Sequence, residues 1–360
     1  MSDSLLVNLS ILFDQPTGIA TYAQNVVKSL SEIEPILLSP RDFDDFKRYS
    51  IPHDMAPNRG SRGHFKRLWW TQFQLPKIYQ ELKGKLIFTP IPEAPLYSDC
   101  RYVAVCHDLI PLRFPRTTSP LTNYFRYVVP RVLEQAEHII CNSNATAGDI
   151  VDFYGIKSNK ITPILLGYDR QNFYPRKEPF TVLNRPYFLY LGRQDYHKNL
   201  SGTIAAFAGI KNTKYCLAIA GSKDRRFTPQ LERQIKELEI QDRVAFFDYL
   251  NYQELPKIIS NAVALIFPTL WEGFGLPVLE AMACGTPVIA SNLASLPEII
   301  GDAGMSIDPY DTSAITSAMI DISTNSQMRN KLSELGLKQA RKFSWQKTGE
   351  ITKEVLLRHI

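Results

Sequence analysis

Short apolar runs alternate along the whole chain with longer amphipathic segments, and this rhythm constrains the fold more than any other feature. A buried parallel strand is a short continuous apolar run, and a helix packed against it has apolar residues at helical spacing. The alternation therefore predicts repeated βαβ units, whose strands form parallel sheets covered by helices.

The alternation predicts individual elements in both halves of the chain. In the first half, strands are predicted at Leu5–Ser10, Lys85–Thr89, Tyr102–Cys106 and His138–Asn142, and a helix at Ile19–Leu30. In the second half, strands are predicted at Tyr187–Leu191, Leu217–Ala220, Val244–Phe247, Ala262–Phe267 and Pro287–Ala290, with helices at Asn199–Ile210, Thr228–Leu238 and Pro277–Ala283. Residues 327–360 have a helical pattern with a break at Phe343-Ser344-Trp345.

Length and one irregular segment predict two domains. The 360 residues exceed one ordinary domain, and Gly167–Arg185 is rich in Tyr, Pro, Asn and Arg without periodicity, which is typical of a linker. We predict an α/β fold of two Rossmann-like, doubly wound parallel-sheet domains, residues 1–172 and 173–342, facing each other across a cleft. A last helix covers residues 343–360. The alternative is one sheet of ten or more strands, which is less common.

Composition and charge exclude several classes of protein. The apolar fraction of 44% and charged fraction of 21% are globular values, which exclude wholesale disorder. The net charge of +5 is evenly spread, so no nucleic-acid partner is predicted. The chain begins without a basic leader and has no long apolar run, so we expect a cytosolic protein. Five cysteines without CxxC and six histidines without HxxxH predict reduced thiols and no metal site.

The most informative segment runs from Phe267 to Ile289. A strand ends at its start, a loop with two glycines follows, and Pro277 stands where a helix begins, a position that tolerates proline. The N–H groups of Gly275 and Leu276 are unpaired at the positive end of that helix, which favours an anion.

Two carboxylates accompany this predicted helix start, Glu272 in the loop and Glu280 about one turn into the helix. They would repel a bare phosphate, but they can accept hydrogen bonds from sugar hydroxyls, so a sugar joined to a phosphate satisfies both features. The alternative, equally weighted, is an ordinary first-turn acid and glycines that serve the turn alone.

A second strand ends in a glycine and a basic loop, Tyr187 to Asn199. Arg193 can bind two phosphate oxygens and Lys198 adds a flexible charge. Asn199 is a predicted helix N-cap. A solvated loop also carries basic residues, but the position at the carboxyl end of a strand favours a phosphate site.

Two motifs of the first half also follow predicted strands. Gly18 opens a helix after Asp14-Gln-Pro-Thr and allows close approach of a phosphate; because the motif is not GxGxxG, no nicotinamide cofactor is indicated. His107 follows a buried strand, where its ring can contact a substrate hydroxyl and Asp108 can orient it. The alternatives are an ordinary turn and a structural histidine.

The segment Arg59–Lys85 holds seven basic residues and one acidic residue, interleaved with Phe65, Leu68, Trp69, Trp70 and Phe73. Such a segment can lie on an anionic membrane. The favoured alternative is a helix whose aromatic face packs on its own domain, which leaves Arg59, Arg62, Lys66 and Arg67 facing solvent.

Together these motifs resemble the family-4 glycosyltransferases of the GT-B fold, and the resemblance covers nearly the whole chain. Its most specific part is the pair Glu272 and Glu280, seven residues apart, within Glu-Gly-Phe-Gly-Leu-Pro-Val-Leu-Glu-Ala-Met-Ala-Cys-Gly. Leu-Gly-Arg193 with Lys198, the early Thr-Gly-Ile turn and His107 follow the family's order. Phe-Ser-Trp near the end is similar to the point from which the family's final helix returns to the first domain.

The resemblance implies a nucleotide-sugar donor held mainly by the second domain, and an acceptor bound by the first. Arg193 and Lys198 would neutralise the diphosphate, and Glu280 would bind the ribose. The resemblance also implies that Glu272 and the N–H groups of Phe274, Gly275 and Leu276 contact the sugar and its phosphate. In the first domain, Gly18 and Ile19 would contact the diphosphate and His107 the sugar. Tyr249 and Leu250 would contact the base.

The resemblance also implies transfer with retention at the anomeric carbon, no metal and no cofactor. The formal Asp-x-Asp within Asp42–Asp45 is discounted, because it does not follow a cleft strand. The expected reaction moves a hexose, expected to be glucose, from UDP-glucose to a saccharide or lipid-linked acceptor in envelope or exopolysaccharide synthesis. The expected location is the cytoplasm, at the inner face of the plasma membrane, with weak contact through Arg59–Phe73. The alternatives are a nucleotide-sugar epimerase, a phosphorylase (for which no pyridoxal phosphate lysine is evident) and a non-catalytic scaffold that binds UDP-sugars.

Overall fold

A computed structural model describes residues 4–12, 18–55, 60–116, 118–180, 183–248 and 250–360. The chain divides into two compact units. Unit 1 comprises Met1–Gly167 together with Ser344–Ile360, and unit 2 comprises Tyr168–Phe343.

Within its described residues, unit 1 is built on a sheet of seven parallel strands. The strands are β1 (Ser4–Asn8), β2 (Ile36–Ser39), β3 (Lys47–Ser50), β4 (Gly84–Thr89), β5 (Tyr102–Cys106), β6 (His138–Cys141) and β7 (Ile161–Pro163), in the order β3-β2-β1-β4-β5-β6-β7. The flanking helices are α1 (Gly18–Lys28), α2 (Gly60–Phe73), α3 (Leu75–Glu81), α4 (Ile110–Arg113), α5 (Pro120–Tyr127), α6 (Val129–Gln135) and α7 (Asn144–Tyr154), with α15 (Trp345–Leu357) from the end of the chain.

The described part of unit 2 has six parallel strands. They are β8 (Tyr187–Leu191), β9 (Cys216–Ala220), β10 (Val244–Phe247), β11 (Ala264–Phe267), β12 (Val288–Ser291) and β13 (Met305–Ile307), in the order β10-β9-β8-β11-β12-β13. The helices are α8 (Leu200–Ala208), α9 (Thr228–Glu237), α10 (Leu255–Ser260), α11 (Leu276–Ala283), α12 (Leu296–Ile300), α13 (Thr312–Thr324) and α14 (Ser326–Ala340). The predicted fold class, two α/β parallel-sheet units, is confirmed.

The strands that the sequence did not predict are short. β2, β7 and β13 have three or four residues each, too few for a clear pattern. β3 is a polar edge strand, Lys47-Arg-Tyr-Ser, whose side chains are exposed or half-buried. Edge strands need no continuous apolar run, and the periodicity therefore detects the central strands best.

The predicted linker Gly167–Arg185 is wrong for its described first part, which packs on unit 2. Phe173 is buried with its ring edge against Tyr252, and the Asn172 side-chain amide donates to the Tyr252 carbonyl at 3.0 Å. The Arg176 N–H donates to the Ser260 hydroxyl at 3.0 Å. These contacts place the first boundary after Gly167, before the predicted residue 172.

The last helix of the chain packs within unit 1. Ser344 caps α15 by accepting the Lys347 N–H, and this confirms the predicted break. A Cβ on Gly349 would lie 2.1 Å from the Ser29 hydroxyl, so a glycine is required where α15 crosses the end of α1. The Thr348 hydroxyl also donates to the Leu165 carbonyl at 2.8 Å. The second boundary follows Phe343, whose ring contacts Phe274 of unit 2.

The predicted packing of the α2 aromatic residues is wrong for three of them. Phe65, Trp69 and Phe73 recur every four residues on one helical face, and all three are exposed. Trp70 and Arg67 lie on the opposite face and are buried. Arg67 is buried because its guanidinium forms a two-point ion pair with Glu93, at 2.7 Å for each bond. Arg59 lies outside the described residues. No helix in the described parts of the chain is long and apolar enough to span a bilayer.

Candidate functional site

Strand order in unit 2 brings two of the predicted loops together. β8 and β11 are parallel neighbours, so the loops that follow them leave the same edge of the sheet. The Lys198 Nζ lies 2.5 Å from the Glu272 Oε2, and each side chain is 15% exposed. The Leu270 N–H donates to the His197 carbonyl at 2.7 Å, which joins the two loops through the backbone. The predicted cation and carboxylate therefore form one accessible, half-buried pair.

The start of α11 has the predicted glycine geometry. Gly275 is the residue before the helix, with φ of +111°, and a Cβ there would lie 2.6 Å from the Leu296 Cδ2. Among the described residues, no acceptor is found for the N–H groups of Gly275 and Leu276. These two donors remain available to an anion at the positive end of the helix.

Ser295 orients this loop, although no motif in the sequence pointed to this residue. Its buried hydroxyl lies 2.6 Å from the Phe274 carbonyl and 2.9 Å from the Glu272 carbonyl. In a trans peptide the C=O and the following N–H point in opposite directions. Because the Phe274 carbonyl points to Ser295, the Gly275 N–H points away from it.

Arg193, in the loop that follows β8, extends into solvent. Its side chain is 73% exposed, with the Nε 3.2 Å from the Asp195 Oδ2, while the buried Tyr190 hydroxyl donates to its carbonyl at 3.0 Å. Burial, with Lys198 nearby, lowers the pKa of His197 to about 4, so this ring is neutral at pH 7. Asn199 caps α8 as predicted, by accepting the Gly202 N–H.

Glu280 is a carboxyl group without a compensating cation. Burial, together with the charge of Asp169, raises its pKa to about 8. Asp169 accepts a hydrogen bond from the Tyr252 hydroxyl at 3.2 Å, and no basic side chain in the described chain lowers the Glu280 pKa. A first-turn acid favoured by the helix dipole would have a lowered pKa, so this alternative loses its support.

His107 of unit 1 is predicted to contact the sugar, but both of its ring nitrogens already have hydrogen-bond partners within the protein. Its Nε2 donates to the Pro90 carbonyl at 2.8 Å, and its Nδ1 lies 3.0 Å from the Asn142 amide nitrogen, which donates to it. Burial lowers its pKa, so the ring is neutral. The groups found on the two ring nitrogens are thus the Pro90 carbonyl and the Asn142 amide, while the Asp108 carboxylate accepts the Ile110 N–H at 3.0 Å.

The first turn of α1 borders a cavity of about 230 Å³ in unit 1. Gly18 and Ile19 are exposed, whereas Asp14–Thr17 lie outside the described residues. Apolar side chains that include Ile19 line the cavity together with the Arg67–Glu93 pair and His64. Arg67 donates to the His64 Nδ1 at 2.9 Å, and burial lowers the pKa of this histidine, so its proton is on Nε2.

The remaining predicted residues are not brought into these clusters. Leu250 is half-buried after β10, and Tyr249 lies outside the described residues. Asp42 of the early Asp-x-Asp pairs with Arg48 at 2.6 Å. Within the described ranges, no three His, Cys, Asp or Glu side chains group as a metal site requires.

Two family models match the chain. The model for glycosyl transferases group 1 matches residues 175–339, and the model for glycosyltransferase family 4 matches residues 16–172. Together they cover the central part of both units.

Individual proteins give the same result. The O-antigen chain mannosyltransferase of Salmonella typhimurium is 26% identical over 330 residues, 88% of this chain and 90% of the relative. Among solved structures, sucrose-phosphate synthase from Thermosynechococcus elongatus is similar with a TM-score of 0.80 at 19% identity, over 99% of this chain and 98% of that one. The Anabaena protein HepE, in complex with UDP and glucose, has a TM-score of 0.76 at 16% identity, over 99% of each chain.

Proposed function

Since the chain belongs to the group 1, family 4 glycosyltransferases of the GT-B fold, we propose that it transfers a hexose from a nucleoside-diphosphate sugar to a saccharide acceptor. We propose retention at the anomeric carbon and no metal requirement. The observation that carries this proposal is the Lys198–Glu272 pair beside the unpaired N–H groups of α11.

The pair suits a reaction in which a nucleoside diphosphate leaves. Negative charge develops on the departing phosphate, and fixed donors stabilise it. Lys198, the exposed Arg193 guanidinium and the N–H groups of Gly275 and Leu276 would supply these donors, with that of Phe274. Glu272, released from Lys198 by the phosphate, would accept hydrogen bonds from the sugar hydroxyls. The departing oxygen would take the acceptor's proton, so no side-chain nucleophile is needed.

Glu280 suits the ribose of the donor. A carboxyl with a pKa of about 8 is largely protonated at pH 7 and can both donate to and accept from vicinal hydroxyls. It lies on α11, the helix that begins at the proposed phosphate site. Contacts of Tyr249 and Leu250 with the base, and of Gly18, Ile19 and His107 with the donor, remain predictions.

Two hexoses are candidates for the transferred group. The sequence analysis expected glucose from UDP-glucose, and the HepE complex with UDP and glucose supports a donor of this type. The relative with the higher sequence identity, an O-antigen chain mannosyltransferase, supports mannose and a role in polysaccharide synthesis. We favour mannose, because a relative at 26% identity carries more weight than a shared fold at 16%.

We propose that the acceptor binds in the 230 Å³ cavity of unit 1. Its apolar walls suit the faces of a sugar or the start of a lipid, and the His64 Nε2–H is a donor for a hydroxyl. The buried cysteines form no disulfide in the described chain, which supports a reducing, cytoplasmic compartment. The exposed face of Phe65, Trp69 and Phe73, next to the exposed Arg62 and Lys66, would give weak contact with an anionic membrane.

A panel of nucleotide sugars tests the donor. The full chain is incubated with UDP-glucose, UDP-galactose and GDP-mannose, without acceptor, and hydrolysis is followed with and without EDTA. We expect one donor to dominate, the α-anomer of the free hexose as the initial product of hydrolysis of these α-linked donors, and no effect of EDTA. An epimeric nucleotide sugar as product would reject the transferase in favour of the epimerase, and nucleotide binding without hydrolysis or transfer would reject it in favour of the scaffold.

A further inference from the structure

In addition to the cavity of unit 1, a cavity of about 250 Å³ lies in unit 2, outside the cluster of Lys198, Glu272 and Gly275. It is lined by the Gln194–Tyr196 turn, the first turn of α8, the start of α9 and the residues between β13 and α13. Lys198, Glu272, Gly275 and Glu280 are not among its lining residues. The cavity therefore needs its own explanation.

A buried amide in this cavity lacks a partner. Gln194 is 2% exposed, and its Oε1 accepts the Thr228 hydroxyl at 2.5 Å. The same Thr228 oxygen accepts the Asp224 N–H at 2.9 Å, which leaves the Thr228 proton available for the Gln194 Oε1. The Gln194 Nε2 then has no acceptor in the described chain. A buried donor without a partner is unfavourable, and a ligand oxygen would satisfy it.

Two exposed aromatic rings line the same cavity. Tyr196 and Tyr310 are 67% and 69% exposed, and Phe227 and Leu270 extend the apolar surface. Large exposed aromatic residues around one concavity indicate a ligand with apolar faces.

The charge of the lining defines the ligand further. Asp195 is the charged side chain among the lining residues, and it already pairs with Arg193 at 3.2 Å and Arg226 at 3.5 Å. A charged ligand would find no counterion there. The cavity is smaller than the about 300 to 1,000 Å³ of drug-sized sites, so it suits one or two small rings.

We propose that this cavity is a second saccharide site, which binds an uncharged hexose unit of a glycan. A hexopyranose has C–H faces that can stack on Tyr196 and Tyr310, and hydroxyl oxygens that can accept from the Gln194 Nε2. The site is separate from the proposed donor contacts and does not depend on which nucleotide sugar is used.

The test measures saccharide binding by calorimetry and by ligand-observed NMR on the full chain saturated with UDP or GDP, whichever the donor panel identifies. The probes are mannotriose, maltotriose and methyl α-mannoside. We expect saturable binding with a Kd of about 1 mM for at least one probe. Tyr310→Ala weakens it about fivefold, the loss expected for one stacking contact, while donor hydrolysis stays within about twofold of the wild type.

The controls keep the result specific to the cavity. Tyr97→Ala removes a tyrosine of unit 1 that is still more exposed, at 87%, and leaves binding unchanged. Gln194→Leu weakens binding without removing an exposed ring; because this residue is buried, its melting temperature is measured alongside. The proposal is overturned if no probe binds saturably at ~20 mM, well above the expected Kd, or if Tyr310→Ala binds as the wild type does.

Discussion

In each unit, basic side chains lie at the edge of the sheet formed by the carboxyl ends of the parallel strands, but the two units differ in how far these side chains are exposed to solvent. In unit 2 the basic side chains at that edge are accessible: Lys198 is half-buried against Glu272, and Arg193 extends into solvent. In unit 1 the guanidinium at the corresponding edge is enclosed, since Arg67 is buried in its two-point pair with Glu93. An accessible cation can exchange its partner for a phosphate, whereas an enclosed one can only position its neighbours. A shared architecture therefore leaves the ligand to be decided by the placement of charge.

Two rates distinguish the units experimentally. Donor hydrolysis to water requires the donor contacts, which we assign mainly to unit 2, whereas transfer also requires the acceptor cavity that we assign to unit 1. Changes in unit 2 are expected to lower both rates together, and changes at the unit 1 cavity to lower transfer alone.

Lys198→Ala and Glu272→Ala have the largest expected effect. Each removes one member of the half-buried pair, and we expect hydrolysis and transfer to fall together by at least ~100-fold. Steady-state kinetics with a melting curve measure this. Lys223→Ala, which removes a lysine paired with Glu232 on the surface of unit 2, is the control and should stay within about twofold. Near-normal turnover by both site variants would refute the donor assignment.

Gly275→Ala is expected to lower both rates about tenfold and to destabilise unit 2. The left-handed backbone costs a non-glycine residue about 1–2 kcal/mol, and its Cβ would displace Leu296. Gly148→Ala is the matched control, because that glycine lies inside α7 with open space around it. We expect the control to be stabilised by up to about 1 kcal/mol. Equal melting temperatures of the two variants would contradict the strained geometry.

Glu280→Gln is expected to change how stability depends on pH. The pKa of about 8 lies above the unfolded value, so the folded protein holds a proton that the unfolded chain releases between about pH 4.5 and 8. The free energy of unfolding of the wild type therefore falls as pH rises through this window. Melting curves from pH 5 to 8 should show a smaller decline for Glu280→Gln, and no such change for Glu334→Gln on the exposed part of α14. Parallel curves for all three proteins would contradict the raised pKa, which is the observation that supports the proposed ribose contact.

His64→Gln has the smallest expected effect and is the test of unit 1. Loss of the Nε2–H donor should raise the KM for the acceptor about fivefold, the value of one hydrogen bond, and leave donor hydrolysis within about twofold. His53→Gln, at an exposed position of the same unit, should change neither rate. A parallel loss of hydrolysis in His64→Gln would show that the two units do not divide the reaction as proposed.

Much of the fold could be predicted from the sequence, because central parallel strands are continuous apolar runs. Tyr187–Leu191 and Val244–Phe247 match the observed strands, and the order of the loops then followed. Local chemistry at strand ends likewise identified Lys198, Glu272 and Gly275.

The rest depends on contacts between residues far apart in the chain. Ser295, just before α12, binds the Phe274 carbonyl, which lies before α11. The charge of Asp169, in the segment predicted as a linker, raises the pKa of Glu280. Arg67 was expected in solvent because a single basic residue on a helix gives no sign of a carboxylate 26 positions away. No local pattern contains such partners.

Unit 1 is assembled from both ends of the chain, and this has a consequence for its biosynthesis. α15 covers α1 with a contact so close that Gly349 has no room for a methyl group. During translation, the first sheet therefore emerges with one flank bare and stays so until residues 344–360 follow unit 2 out of the ribosome. A premature stop that removes these final residues would leave unit 2 intact and deliver an incomplete unit 1 to the chaperones.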